Sequence, residues 1–299
     1  DKLSDYMPEF SEMYVKTENG LKKAENPILI KHLFEMTAGF SYDTESPQIK
    51  KCIDETDGKC PTREMIKYLA KEPLLFEPGE RWEYSLCHDV LAAFIEFISG
   101  EKFEDFIKNN IFSKLGMNNS SFMESADTAN ERVVQYRYRN GKGYSEGRDI
   151  VCYKFGSEYA SGGAGCISTV EDYIKFAEAL RKGELIKPET VKLMMTDRLK
   201  EEQKTVLYGK ARYGYGLGVR CPKGDDRYVD FGWSGAAGAH TSIDMQNGIT
   251  IFVGANMFSF PFMDIYGSML CRFIKAELYG EDFKQIGKDV AEFWKTLEN

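Results

Sequence analysis

A change of hydrophobic period near Tyr213 constrains this chain more than any other feature. Upstream, apolar residues recur at helical spacing; downstream, they alternate. His32–Met36 carries apolar positions up to a break at Ala38-Gly39, and Glu64–Leu69 is a short amphipathic stretch. The run PLLFEPGERWEY, ending at Tyr84, reads as extended, with Pro78-Gly79 as a turn. His88–Ile98 is apolar almost all round and stops at Gly100, a C-terminal helix signal. Phe103, Phe106, Ile107 and Ile111 then recur at helical spacing. Ser168-Thr-Val-Glu171 predicts a capping box for a helix with Val170, Tyr173, Ile174, Ala177 and Leu180 facing inward, and Lys187-Pro188 opens another helix through Met195. From Tyr213 the segments Tyr213–Val219, Arg227–Phe231, Ala239–Asp244 and Ile249–Ala255 read as antiparallel strands. Lys223-Gly-Asp and Gln246-Asn247-Gly248 supply turn signals between them. Two closing helices are expected, Met263–Tyr279 and Asp282–Leu297. Helices, then a meander, then helices packing back predict an α/β (α+β) protein. Its expected parts are a mainly helical lobe over residues 1–165 and a helix and antiparallel-sheet lobe over 166–299.

Composition narrows the function classes. A net charge of −8 argues against nucleic acid as a partner, because neutralising phosphates needs a basic surface. No apolar run reaches the ~18–20 residues of a membrane span. Seven cysteines without a C-x-x-C pair suit reduced thiols in a cytoplasm better than a disulfide framework. The closest spacing is Cys52 to Cys60, across a polar loop. Three scattered histidines, His32, His88 and His240, give no metal-ligand pattern, and nothing calls for a cofactor.

Tyr84-Ser85-Leu86 follows a Pro-Gly turn and precedes an apolar helix, so Tyr84 sits on a loop pinned by a rigid element. It reads either as a presented catalytic group or as one of 17 tyrosines, partly buried in a core. Phe231-Gly-Trp-Ser-Gly-Ala-Ala-Gly238 joins one predicted strand to the next, and five of its eight residues are Gly or Ala. It reads as backbone open to a ligand, able to aim an N–H at a developing oxyanion, or as a plain crossover with Trp233 packing. Ser161–Gly165 lacks the Gly-Lys-Ser/Thr ending of a phosphate cradle and reads as a tight turn. His88-Asp89 invites a triad with some serine, but the pair opens a helix, where the dipole favours Asp.

Seven phrases occur together in one order: SDYMPEF, ILIKHLFEMTAGF, FEPGERWEYSLCHDVLAAFIEFISG, IFSKLGMNNSSF, SGGAGCISTVEDYIKFAEAL, YGYGLGV and GWSGAAGAHTSID. Over nearly its whole length the chain thereby resembles the serine β-lactamase-like superfamily of class C β-lactamases, D-alanyl-D-alanine peptidases and family VIII carboxylesterases. The resemblance implies a β-lactamase/transpeptidase-like fold and a serine hydrolase working through an acyl-enzyme. Tyr84 stands where the family has the tyrosine of its Tyr-x-Asn, its general base and acid. Leu86 replaces the asparagine, and Trp233-Ser234-Gly235 stands in place of Lys-Thr-Gly. Tyr-Ser-Leu with Trp-x-Gly looks like the carboxylesterase branch. Trp233, Ser234 and Gly235 would then border the substrate, and Ala236 would supply an oxyanion N–H. The expected partner is a small-molecule ester, the alternative an amide, for which Arg212 could grip a carboxylate; a non-catalytic binding homologue is the other alternative. The only S-x-x-K is Ser99-Gly-Glu-Lys102, at a helix end downstream of Tyr84, whereas the family places its nucleophile upstream. The resemblance therefore puts the nucleophile segment before Asp1, together with strands whose absence would uncover Tyr213–Val219.

Overall fold

The computed structural model describes residues 1–123, 131–139, 142–147, 154–204, 213–223, 229–258, 263–280, 282–288 and 291. Strands β1 (Tyr14–Thr17) and β2 (Gly20–Lys23) pair as an antiparallel hairpin, which gives the helical part a small sheet that its sequence did not advertise. Both strands are largely exposed, so neither shows the alternation that a half-buried strand would.

Helices α1 (Ile30–Phe34), α2 (Pro47–Glu55), α3 (Thr62–Leu69) and α4 (Cys87–Ser99) follow. Helix α2 was unforeseen, although Ser46 caps it, accepting from the Ile49 N–H at 3.3 Å, with Pro47 at its first position. Helix α4 ends at Gly100, whose left-handed φ of 73° closes it as expected. Helix α5 (Phe103–Ile107) continues through a π turn, Lys108–Phe112, to Ser113–Leu115.

A second hairpin, β3 (Gln135–Arg139) with β4 (Lys142–Gly147), adds two more strands to the part expected to be mainly helix and loop before residue 165. Helix α6 (Val170–Lys182) starts one residue later than the predicted box. Thr169, not Ser168, caps it, accepting from the Asp172 N–H at 3.2 Å, while the Ser168 hydroxyl pairs with Ser120. Val170, thus moved to the first turn, is exposed. Helix α7 spans Pro188–Met194.

The main sheet is a five-stranded antiparallel meander, β5-β6-β7-β8-β9. The single strand expected over Tyr213–Val219 is instead two short ones, β5 (Gly214–Tyr215) and β6 (Arg220–Cys221). A turn closed by Gly216 N–H to Val219 O at 2.8 Å separates them. A Cβ at Gly216 would lie 1.8 Å from the Met194 oxygen, so only glycine lets that turn pack on α7. Tyr215 has no exposed surface, contrary to the expectation that this segment would be uncovered.

Strand β7 (Phe231–Ser234) is itself made of the motif expected to be a crossover; only Gly235–Gly238 forms the turn into β8 (Ala239–Asp244). Arg227 and Asp225 fall outside the described residues. Strand β9 (Ile249–Gly254) follows the Asn247-Gly248 turn, and β10 (Met257–Phe258) runs parallel to β3. Helix α8 matches its expected span, Met263–Tyr279; of the last predicted helix only its opening turns are described.

Two main apolar cores result, beside a small third cluster of Ala92, Phe103 and Ala160. The larger gathers Leu33, Phe40, Met65, Ile66, Leu74 and Val90 from the helical part and takes in Leu199 and Tyr215 from beyond it. The smaller packs Ala177, Leu180 and Val191 of α6 and α7 on Cys221, Phe231 and Ile243 of the sheet. Helix α8 packs on β7 and β8, where Lys275 reaches Asp244 and Asp230.

Candidate active site

Tyr84 sits half-buried just before α4, held by a backbone that is fixed on both sides. Glu83 N–H donates to Met36 O at 3.0 Å and Leu86 N–H to Ser41 O at 3.2 Å. Leu86, where a family asparagine would stand, is buried in the larger core rather than turned to solvent. Trp233 comes from β7, about 150 residues later in the chain, and its ring lies parallel to that of Tyr84, with centroids 5.9 Å apart and planes 4° apart. The structure therefore brings these two predicted residues together. Tyr42, Trp82 and Tyr215 join them, with centroids 5.0 Å from Tyr42 to Tyr84, 5.5 Å from Trp82 to Tyr215 and 5.4 Å from Tyr215 to Trp233. Five rings, largely edge to face, make a rigid apolar wall. The sequence hinted at Trp82 and Tyr215 through the W-x-Y and Y-x-Y spacings but gave no signal for Tyr42.

Strand pleating separates Ser234 from Trp233. Trp233 pairs across to Thr241 and Ser234 to His240, so their side chains leave opposite faces of the sheet. Gly232 precedes Trp233: a Cβ there would sit 2.0 Å from Thr241 O, so the close strand approach that aims Trp233 requires glycine. The Ser234 hydroxyl meets His240 Nδ1 at 2.8 Å, and His240 Nε2 lies 3.4 Å from Arg220 Nη2. Guanidinium can only donate, so Nε2 is the acceptor, Nδ1 carries the proton, and the Ser234 O–H is left to donate elsewhere. Burial, and then the Arg220 charge, lower the His240 pKa to about 4, which keeps the ring neutral.

Past β7, Gly235 N–H donates to Ala239 O at 2.7 Å and Gly238 N–H to Gly235 O at 3.0 Å. Ala236, at the exposed tip between them, donates to no acceptor among the described residues.

The other sequence candidates resolve into structural parts. His88 and Asp89 do not bond to each other: Asp89 Oδ1 accepts from Tyr159 and Ser161, both at 2.6 Å. His88 Nε2 is buried against Gly218 and meets no hydrogen-bond partner among the described residues. The Ser161–Gly165 run is a turn, closed by Gly165 N–H to Ser161 O and packed on the start of α4, where a Cβ at Gly162 would strike His88 O at 2.3 Å. Ser99 ends α4, donating to Ile95 O at 2.7 Å. Arg212 lies outside the described residues. Among those residues no group of His, Cys, Asp and Glu is arranged to hold a metal, and no helix is long and apolar enough to cross a membrane.

The helical lobe, the antiparallel meander and the helices that cover it define a β-lactamase/transpeptidase-type fold. A variant of simvastatin synthase from Aspergillus terreus superposes at a TM-score of 0.71 over 96% of this chain and 76% of that one, at 22% identity. The beta-lactamase family model matches residues 1–269, and the chain belongs to that family. It is 28% identical over 214 residues to the ML-236A carboxylate methylbutanoyltransferase of Penicillium citrinum, covering 68% of this chain and 50% of that protein. To the esterase EstB of Burkholderia gladioli it is 27% identical over 216 residues, covering 64% and 54%. The chain thus spans about half the length of these curated relatives.

Proposed function

We propose that the whole protein is a serine hydrolase that transfers acyl groups through an acyl-enzyme and acts on neutral small-molecule esters. The observation that carries this reading is the parallel Tyr84–Trp233 stack beside a strand end whose Ala236 N–H meets no acceptor among the described residues. In this reading a serine and a lysine from an S-x-x-K segment preceding Asp1 meet Tyr84. Tyrosine ordinarily titrates near ~10, so the lysine's charge is what lets Tyr84 take the serine proton near neutrality. The serine oxygen attacks the ester carbonyl, and the oxyanion develops against the Ala236 N–H. Tyr84 returns the proton to the departing alcohol, and water or a second alcohol then releases the acyl group. Trp233 stands where a lysine would grip a carboxylate, and with Tyr42 and Tyr84 it offers an apolar face, backed by the buried rings of Trp82 and Tyr215. Both features favour an uncharged acyl chain over a β-lactam. The curated relatives named above, a methylbutanoyltransferase and an esterase, support acyl transfer.

The test is the turnover of short-chain p-nitrophenyl esters against nitrocefin by the full-length protein and its Tyr84→Phe variant. The ester should be preferred by at least about a hundredfold in kcat/KM, and Tyr84→Phe should lose about 10²–10⁴-fold, the usual range for general acid–base catalysis. An equal preference would favour a β-lactamase or peptidase. An inert wild type that still binds esters would mark a binding homologue.

A further inference from the structure

Cys52 and Cys60 face each other inside the helical part, with their sulfurs 3.0 Å apart and neither residue exposed. No other two sulfurs among the described residues hydrogen-bond. The backbone between them is built to hold that approach. The Thr56 hydroxyl donates to the Cys52 oxygen at 2.7 Å and accepts from the Cys60 N–H at 2.8 Å, so one side chain ties the two cysteines' main chains together. Asp57, Gly58 and Cys60 all take left-handed φ angles, 50°, 74° and 46°. For a cysteine this is uncommon and unfavourable backbone, and here it turns the Cys60 side chain back onto α2. From behind, Ser157 N–H donates to Gly58 O at 3.0 Å and Glu158 N–H to Lys59 O at 2.8 Å. Two cysteines serving only as small apolar fillers would need neither the clamp nor the strained residue.

We propose that Cys52 and Cys60 are a modification site, a reversible disulfide that staples α2 to the start of α3, formed by exchange with a low-molecular-weight disulfide. In the exchange two S–H bonds and the donor's S–S bond break. The Cys52–Cys60 bond forms, and the two protons and two electrons leave on the two thiols released from the donor. A surface depression of about 560 Å³ whose lining includes Thr56, Asp57, Lys59 and Pro61 gives a reagent its approach to the loop. Burial pushes both thiols' pKa values up, so exchange in the folded protein is slow, and a closed disulfide is shielded from reductant.

Trypsin reads the site directly, because Lys51, Lys59 and Arg63 put the two cysteines on separate peptides, Cys52–Lys59 and Cys60–Arg63. The protein is refolded in mixtures of oxidised and reduced glutathione, quenched in acid, denatured, blocked with N-ethylmaleimide and digested without reduction. The expected product is the two peptides joined, lighter than their sum by two hydrogens and separating on reduction. In the native protein the bond should outlast dithiothreitol treatment that opens it in urea. Thr56→Val should lower the oxidised share at a fixed glutathione ratio several-fold, and an unchanged share would remove the geometric basis of the proposal. Both peptides carrying maleimide, or separate glutathione adducts, at every ratio would overturn it. The readout is independent of catalysis.

Discussion

Asp89, in the first turn of α4, and Asp230, just before β7, are almost equally buried, at 3% and 5% exposure. Both accept short hydrogen bonds from hydroxyls, Asp89 from Tyr159 and Ser161, Asp230 from Ser242 at 2.6 Å. Only Asp230 has cations. Arg220 Nη2 lies 2.7 Å from it and Lys275 Nζ 3.7 Å. Burial raises the pKa of Asp89, and its hydrogen bonds to Ser161, Tyr159 and the Gly163 backbone do not cancel that rise. Burial would raise Asp230 as well, but Arg220, then Lys275, then Ser242 pull it far below the carboxylate range. The contrast teaches that hydroxyl and backbone donors alone do not offset the burial of a carboxylate, whereas a guanidinium does. The helical part therefore keeps a polar knot, and the sheet keeps an ion network.

The largest effect should come from breaking that network at one end. Arg220→Met would leave Asp230 buried against Lys275 alone, a loss of about 3–5 kcal/mol by the usual measure of a severed buried pair. Asp230→Asn should cost a similar amount, because it strands Arg220. The double variant Arg220→Met/Asp230→Asn should cost clearly less than the sum of the separate changes. Urea unfolding measures all three, and additive losses would end the claim that the two charges exist for each other.

None of this network was legible in the sequence. Ala239–Asp244 alternates cleanly, and His240, Ser242 and Asp244 read as a solvent face; they are 2%, 1% and 0% exposed beneath α8. What reverses the reading is long-range: Arg220, Asp230 and Lys275 converge from three elements to neutralise that face, and no local pattern announces such a meeting. Helix α4 and the β8–β9 hairpin were legible because their stop signals, Gly100 and Asn247-Gly248, are local. Strand β1 and helix α2 were not, since the one buries little apolar surface and the other buries only Ile49 and Cys52. In the candidate site, Tyr84 and Trp233 were legible only through the order of motifs along the chain. The pairing of Tyr42 with Tyr84 is set by tertiary packing alone.

Acidification separates the histidines from the carboxylates. Burial lowers His32, His88 and His240 to about 4 each, helped for His240 by Arg220. In the unfolded chain they titrate near ~6.5. Their neutral forms thus stabilise the fold fully above pH ~6.5, and that stability is lost as pH falls from ~6.5 toward 4. Glu35, Asp89 and Glu96, whose pKa values burial raises, act in the opposite sense nearer the carboxylate range. The stability measured between pH 7.5 and 6 should therefore fall, with a slope approaching a few kcal/mol per pH unit if all three histidines contribute. His240→Asn should flatten it by about one proton. A stability that rises over this interval would contradict the neutral histidines.

Asp89→Asn should cost less, about 1–2 kcal/mol. The amide oxygen can still accept from Tyr159 and Ser161, while the amide nitrogen would confront the Gly163 N–H. The pH trends of the two Asp→Asn variants should diverge. Wild-type Asp89, with its raised pKa, gains stability as pH falls toward its unfolded value near ~4, and asparagine cannot. The cost of Asp89→Asn therefore grows on acidification. Asp230, with its lowered pKa, loses its contribution as pH falls below ~4, so the cost of Asp230→Asn shrinks. Parallel profiles would mean that the two carboxylates' pKa values shift in the same direction after all.

Asp172 tests whether the rule is graded. Its side chain is as buried as those of the other two, at 1% exposure, and it takes the Asn119 N–H at 2.7 Å and the Ser120 hydroxyl at 3.1 Å. Its one cation, Lys175 at 2.8 Å, is 44% exposed. Burial opposes the charge on Asp172, yet the hydrogen bonds from Lys175, Asn119 and Ser120 outweigh it and lower the pKa. The Asn119 N–H and the start of α6 also favour the anion, so Asp172 does not hang on its cation as Asp230 hangs on Arg220 and Lys275. Lys175 is moreover screened by water on its outer side. Lys175→Met should therefore cost at most about 1 kcal/mol, the upper range for exposed ion pairs. Adding ~0.5 M salt should weaken wild type toward the variant while leaving the Arg220–Asp230 contribution nearly untouched, because screening reaches exposed charges far more than buried ones. A loss of several kcal/mol for Lys175→Met, insensitive to salt, would place Asp172 with Asp230 and show that what matters is having a cation at all, not how deeply it is buried.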